Sequence, residues 1–403
     1  MTPLTPLNRL TLAAFGLHGA DQLAMAALPL TAVLVLGAGP GLVGALLAAQ
    51  AAAWLVFSLP AGLLVDRFAR VGLLCAAAIA AAAGSALALP AAIGEWAPLL
   101  GAATFVAACG TVLFVLGTGS LVPVFAPREG LAAANGRLEL ARAVASLAAP
   151  PLAGLLAGRG APVAAYGLAV LAALLALAAA RRLPKLAAPV VAARPPIRAQ
   201  LAEGARFVLR QPLLRGIFGC ALAWNFAFFA LLAAIVPFAL GPLGLDPARL
   251  GLAQAGYGAG MMAGAALAAG VQRRFGPNAV LLAGPGLSVA TPVLLLAAPA
   301  GGVVLPFAAL FLVGFGPMMW LICQTGIRQI VTPPAMLGRV GAVLQVAIYG
   351  VRPLGALAGG SLAAGQGPAA GIWLAGAGFA ASVLVVLVSD LSRLRRLPGA
   401  ATA

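Results

Sequence analysis

The stretch AANGRLELARAVASLAAPPLAGLLAG, residues 133–158, recurs without gaps as AMLGRVGAVLQVAIYGVRPLGALAGG at residues 335–360. The two copies lie 202 residues apart, half the length of the 403-residue chain, and nine of their 26 positions are identical. A shorter echo links PLNR at 6–9 to PLLR at 212–215. An internal repeat at half the chain length indicates two structurally equivalent halves.

The composition places the chain in a membrane. Hydrophobic residues make up 63% of the sequence, charged residues only 8%, and the mean hydropathy is +1.09. Because this small number of charged residues cannot cover a soluble surface, lipid must cover most of the molecule. The 51 glycines suit close helix packing. The four cysteines are far apart in apolar runs, which predicts neither a disulfide framework nor a metal site.

Hydropathy predicts twelve membrane-spanning helices. They are placed near residues 10–36, 41–64, 71–93, 97–122, 137–158, 162–180, 213–240, 249–272, 279–299, 302–330, 339–363 and 368–391. The connection 181–212 is basic, broken by proline and weakly amphipathic, so we expect a linker on the membrane surface. The predicted fold is an all-α membrane protein with two pseudo-symmetric six-helix lobes, residues 1–180 and 213–403, joined by that linker.

The basic residues predict an orientation. Twenty of the 24 lie at the termini or in the even-numbered connections. Arg159 and Arg249 are the exceptions in the other loops, while Arg142 and Arg352 fall within spans. The positive-inside rule therefore predicts that both termini are cytoplasmic, and it explains the net charge of +16 without a nucleic-acid partner. With 23 arginines and one lysine, a GC-rich bacterial genome and an inner-membrane location are expected.

The loop GLLVDRFARV, at 62–71, is similar to the signature GxxxDRxGRR of the major facilitator superfamily. Ala69 stands in place of a glycine and Val71 in place of a basic residue. The equivalent QRRFGP, at 272–277, keeps the basic pair but has no acid. Four positions match the signature: Gly62, Asp66, Arg67 and Arg70.

The resemblance implies that this loop is a conformational latch that braces the two halves in one access state. An anion at Asp66 would meet the positive N-terminal end of a helix entering from the same side, and the helix that starts near Gly338 is the candidate. The alternative is a solvated turn that carries positive-inside arginines.

Three further stretches resemble the drug:proton antiporter group, which includes macrolide-efflux and enterobactin-exporter-like proteins. They are GADQLAMAALPL (19–30), LAAANGRLELARAVASLAAPPLAG (131–154) and EGARFVLRQPLLR (203–215). The GPxxGG-like antiporter motif survives only as PPLAG (150–154). The resemblance implies alternating access. The first, fourth, seventh and tenth of the predicted spans would surround a central cavity, and the second, fifth, eighth and eleventh would lie at the lobe interface. The resemblance further implies proton-coupled efflux of a hydrophobic or amphipathic small molecule, a drug or siderophore-like compound.

Alternatives of other kinds stay open. The same fold serves lysophospholipid flippases and importers, and a membrane sensor without transport is a third possibility. There is no P-loop and no cluster of metal ligands in the sequence, and so few acids argue against a membrane hydrolase. We therefore expect a monomer that is not an enzyme, has no cofactor, and has its substrate, protons and lipid as partners.

Asp21 lies about 11 residues, or roughly 16 Å, into the first predicted span, and His18 precedes it by one turn on the same face. An ionisable residue near mid-bilayer is a functional-site hypothesis by default, because isolated charge is costly there. We expect Asp21 to couple proton movement to export or to contact the substrate. The alternative is a structural ion pair with Arg142, unless Glu139 occupies that arginine instead.

Arg352 lies deep in the eleventh predicted span, and its repeat counterpart is Pro150. It either faces the central cavity, where it attracts an anionic group or balances Asp21, or bonds backbone carbonyls freed by Pro353. Further candidates are polar and aromatic residues inside spans, for which helix packing is the alternative. They are Gln50, Trp54, Trp224, Asn225, Tyr257, Trp320, Gln324 and Tyr349.

Overall fold

The computed structural model describes residues 5–127, 130–184, 186, 197–333 and 336–396. Within this part of the chain, the regular elements are fourteen helices. The first seven are α1 (Pro6–Leu34), α2 (Pro40–Arg67), α3 (Arg70–Ile93), α4 (Ala97–Phe125), α5 (Leu131–Gly158), α6 (Ala164–Arg181) and α7 (Ile197–Arg210). The others are α8 (Pro212–Leu240), α9 (Pro247–Phe275), α10 (Pro277–Ser288), α11 (Ala290–Leu296), α12 (Val304–Val331), α13 (Leu337–Gln366) and α14 (Pro368–Val388).

Ten helical stretches are long and apolar enough to cross a membrane, with α10 and α11 together forming one of 20 residues. Helices α1 and α9, of 29 residues each, supply the other two predicted spans. Their mean hydropathy is lower, because α1 carries His18 and Asp21 and because α9 is rich in glycine, which contributes little hydrophobic surface. The predicted all-α membrane fold is confirmed. The largest boundary error is at α5, which begins six residues before the predicted start at 137.

The two helices that open the halves begin in the same way. The Thr5 hydroxyl accepts a hydrogen bond from the backbone N–H of Asn8 at 3.2 Å, and Gln211 accepts one from the backbone N–H of Leu214 at 3.0 Å. A proline follows each of these capping residues. Proline has no N–H and a fixed φ, so it fits the first turn of a helix without loss. The PLNR and PLLR echo therefore has a local structural cause.

The chain divides into two compact units, Met1–Ala192 with Leu245–Ala255, and Ala193–Gly244 with Gly256–Ala403. In the first unit α1 packs on α5 and α6, and in the second α8 packs on α13 and α14. The sequence repeat is thus matched by a repeat in helix packing. The predicted lobe limits at 180 and 213 stay a prediction, since residues 185 and 187–196 lie outside the described part of the chain.

The contact between α9 and α12 depends on glycine. A Cβ atom at Gly260 would overlap the backbone carbonyl oxygen of Phe311, and one at Gly256 would overlap that of Phe307. Gly264 makes a third contact of this kind one turn further on. Backbones approach this closely only where side chains are absent, which explains why a 29-residue membrane helix is so rich in glycine.

We expect Gly260→Ala to destabilise the protein by about 1–3 kcal/mol, because the added methyl group forces α9 and α12 apart. The measurement is the apparent melting temperature of the purified protein in detergent. Gly270→Ala in the same helix is the matched control, since a Cβ there would meet no atom within 4 Å. Equal melting temperatures for the two variants would contradict the proposed role of glycine.

Candidate functional site

The acid of α1 lies in a hydrogen-bonded group of polar side chains. The Thr111 hydroxyl of α4 donates to one carboxylate oxygen of Asp21 at 3.1 Å, and the Gln22 amide donates to the other at 3.1 Å. The amide oxygen of Gln22 accepts a hydrogen bond from the Ser146 hydroxyl of α5 at 3.1 Å. These four residues, the Asp21 cluster, join α1 to α4 and α5. Asp21 is the sixteenth of the 29 residues of α1, so the cluster lies at the middle of the helix.

A small internal cavity adjoins the Asp21 cluster. Asp21 and Thr111 line it together with Gln50 of α2 and Ser85 of α3, and alanines complete its walls. Its volume of about 10 Å³ is near the lower limit for one water molecule. The Ser85 hydroxyl is buried and has no hydrogen-bond partner among the described atoms. The cavity therefore offers several polar groups to one water molecule beside the carboxylate.

The other ionisable residues predicted near Asp21 lie on α1 and α5. Arg142 and Glu139 form an ion pair, with Nη2 and Oε2 2.7 Å apart and a hydrogen bond from Nε at 2.9 Å. His18 is partly buried and lies within electrostatic range of both charges. The ion pair within α5, which the spacing of three residues indicates, is therefore formed. The role of Asp21 in proton coupling or substrate contact stays a prediction, with a structural role as the alternative.

Arg352 lies at the middle of α13, beside Asn225 of α8. Its Nε donates to Asn225 Oδ1 at 3.0 Å. The guanidinium lies over the rings of Tyr349, 4.3 Å from the centroid, and of Phe229, at 5.2 Å. A charged hydrogen bond and two cation–π contacts therefore fix its position. We call these four residues the Arg352 cluster.

A row of aromatic rings from α8 and α9 adjoins Phe229 of the Arg352 cluster, whose ring is 5.9 Å from that of Phe228. Trp224 stacks on Phe228 with centroids 5.0 Å apart, and Phe228 stacks on Tyr257 at 5.3 Å. The Trp224 indole N–H donates to the Ser288 hydroxyl at 3.0 Å, which fixes the ring. Trp224 and Tyr257 are both partly exposed. This aromatic row offers flat apolar faces close to a fixed positive charge.

Three other candidates inside spans are Trp54, Trp320 and Gln324. Trp54 packs against the core of the first unit. Trp320 is buried in the core of the second unit, and its indole nitrogen has no hydrogen-bond partner among the described atoms. Gln324 is buried too, and its amide donates to the Thr325 hydroxyl at 3.0 Å. A role of these three residues in lining the transport pathway stays a prediction.

The loop after α2 is described in part. Helix α2 contains Gly62 and ends at Arg67, and α3 begins at Arg70. The Arg70 Nε is buried and has no hydrogen-bond partner within the described part of the chain. The side chain of Asp66 lies outside the described residues. The role of this loop as a conformational latch therefore stays a prediction.

Sequence reasoning missed several residues of these clusters. Gln22, Thr111 and Ser146 complete the hydrogen bonds around Asp21, and Ser288 holds the indole of Trp224. The available signal was that each is a polar residue in an otherwise apolar helix, where a buried polar group needs a partner. Which helix supplies that partner depends on the packing.

Known protein sequences resemble this chain over most of its length. A family model described as the Major Facilitator Superfamily matches residues 10–356. The enterobactin exporter EntS of Shigella flexneri is 28% identical over 318 residues, which cover 74% of this chain and 70% of that protein.

Solved structures of transporters have a similar fold. A POT family transporter in complex with 5-aminolevulinic acid has a TM-score of 0.78 and 12% identity, covering 95% of this chain and 96% of its own. A D-xylose–proton symporter has a TM-score of 0.73 and 16% identity, covering 98% of both chains. At such low identity these likenesses show the fold alone.

We expect Thr111→Val to destabilise the protein by about 1–3 kcal/mol, because Asp21 loses a buried hydrogen-bond donor. Thr104→Val in the same helix is the control, since that buried hydroxyl donates to carbonyl oxygens of its own helix. Thr111→Ser keeps the donor and should retain most of the stability. Apparent melting temperatures in detergent test this, and an equal loss in both valine variants would argue against the contact with Asp21.

Proposed function

The chain belongs to the Major Facilitator Superfamily, and we propose that it exports an amphipathic small molecule in exchange for protons. Family membership makes it a multi-pass membrane transporter and not an enzyme. The observation that carries the proposal is the Asp21 cluster, in which a carboxylate at the middle of a membrane helix adjoins an internal cavity. A charge at that depth is costly, so its retention calls for a function.

Asp21 is the proton-carrying group in this proposal. A carboxylate in an apolar helix takes up or releases a proton as its access to water changes, because hydration favours the charged form. The Thr111 hydroxyl is suited to both states, since it donates to a carboxylate and, after rotation, accepts from a carboxylic acid. Alternating access then delivers the proton from one side of the membrane to the other.

The Arg352 cluster and the aromatic row supply the substrate contacts. Arg352 offers a positive charge fixed by Asn225, and Trp224 and Tyr257 offer partly exposed ring faces. An amphipathic molecule that carries an aromatic ring and an anionic group would satisfy both features. The similarity to an enterobactin exporter supports outward transport and a siderophore-like substrate.

The arginine-rich composition and the distribution of basic residues support a bacterial inner-membrane protein with cytoplasmic termini. In this proposal the transporter acts as a monomer, and its partners are the substrate, protons and lipid. The loop with Asp66, Arg67 and Arg70 is the conformational latch.

We expect Asp21→Asn to abolish proton-driven accumulation of enterobactin in inside-out proteoliposomes while sparing exchange of labelled for unlabelled enterobactin. The amide preserves the size and much of the hydrogen bonding of the side chain, but it neither takes up nor releases a proton. Asp246→Asn is the matched control, because that carboxylate is 51% exposed and pairs with Arg249 three residues away.

Two results would overturn this proposal. Uphill transport that survives in the Asp21→Asn variant would exclude Asp21 as the coupling group. If the unmodified protein does not move enterobactin under a proton gradient, the proposed export of a siderophore-like compound is wrong.

We expect Arg352→Gln to weaken binding of a naphthoate by about tenfold to a hundredfold, because a charge-assisted contact is lost. The neutral naphthamide of the same shape should change by less than about threefold, since it uses the aromatic row alone. Quenching of the intrinsic tryptophan fluorescence reports both affinities, because Trp224 lies in that row. An equal loss for the two ligands would assign Arg352 a structural role.

A further inference from the structure

An open cleft in the second unit lies between the end of α9 and the segment that follows α14. Its volume is about 760 Å³. Four arginines line it, and none of its lining residues is acidic. We call it the arginine cleft, and its cationic residues are Arg273, Arg274, Arg395 and Arg396.

Backbone contacts hold the two sides of the arginine cleft together. The backbone N–H of Asn278 donates to the carbonyl oxygen of Leu394 at 3.0 Å, and its side-chain amide donates to that of Ser392 at 3.4 Å. Gly276 turns the chain with a φ of +83°, and a Cβ there would lie 3.1 Å from the carbonyl oxygen of Arg395. The juxtaposition of arginines from two distant segments is therefore built into the fold.

The charge of the arginine cleft calls for an anion. All four arginine side chains are exposed, so they are free to reach a ligand in the open cleft. Two acids, Glu203 and Asp390, occur in the described part of the second unit. Glu203 pairs with Arg339 at 2.5 Å, and neither acid lines the cleft. Guanidinium groups bind phosphate oxygens through two parallel hydrogen bonds, and a bound phosphate relieves their mutual repulsion.

The surroundings favour a lipid as the source of that phosphate. The arginine cleft lies where the membrane helices α9 and α10 meet. Phe275 is 60% exposed at its wall, with the Arg274 guanidinium 5.6 Å from the ring centroid. Aromatic and basic side chains together are typical of the membrane–water interface, and basic pockets there bind anionic headgroups. We propose that the arginine cleft binds the phosphate of an anionic phospholipid headgroup.

Native mass spectrometry of the full-length protein in detergent tests this proposal, with phosphatidylglycerol and phosphatidylcholine titrated in parallel. We expect phosphatidylglycerol to bind more tightly by about tenfold, and Arg274→Gln with Arg395→Gln to remove that preference. Arg206→Gln with Arg210→Gln is the control, because it removes the same charge from exposed positions on α7. An equal loss in both double variants, or no preference between the lipids, would overturn the proposal.

Competition with inorganic phosphate distinguishes a lipid headgroup from a free phosphate ion as the natural ligand of the arginine cleft. We expect inorganic phosphate to displace phosphatidylglycerol only at a large molar excess, since it lacks the contacts of the glycerol and acyl groups. Displacement at concentrations similar to the lipid would assign the arginine cleft to a free anion and overturn the lipid proposal. If the first double variant is misfolded by its melting temperature, Arg273→Gln with Arg396→Gln serves in its place under the same criteria.

Discussion

The absence of water from the membrane interior is the constraint on which this structure depends. Each backbone N–H and C=O group in hydrocarbon must be bonded within the chain, which leaves helices as the means by which an apolar chain of this kind crosses. The hydrophobic effect does not favour helix association once the helices are in lipid, so their packing relies on close contact. The overlaps that a Cβ would create at Gly256 and Gly260 record how closely the backbones approach. Glycine is therefore frequent for the same reason that charge is rare.

The same constraint gives the few polar residues their importance. Asp21 receives hydrogen bonds from Thr111 and Gln22, and Arg352 donates to Asn225. Asn225 follows Asp21 by 204 residues, which lies between the repeat offsets of 202 and 206, so the first helix of each half carries a polar residue at a similar depth. In the first half that residue is an acid, and in the second it is a neutral partner for an arginine. The first helix of each half packs on equivalent partners, but the polar residue that it carries differs in chemistry.

This difference suits the first half to proton coupling and the second half to binding of an anionic substrate. A group that carries protons must change its charge, which an acid does and an asparagine does not. A group that binds an anion must keep its charge, and arginine remains protonated at physiological pH. The proposed coupling at Asp21 and substrate binding at Arg352 follow from these two properties. The proposed binding of a lipid phosphate in the arginine cleft also depends on the permanent charge of arginine.

The sequence alone determined the membrane class, the family and the ends of the long helices to within six residues, because hydropathy, a half-length repeat and a loop signature are local properties of the chain. It also identified Asp21 and Arg352, since a charge in an apolar run is visible without a structure. It did not find Thr111, Ser146 or the internal cavity, because a lone hydroxyl in a helix gives no sign of the neighbour that it meets. The arginine cleft was likewise hidden, since its halves lie more than a hundred residues apart. Only the tertiary structure decided these pairings, because they depend on the rotation and depth at which each helix packs against the others.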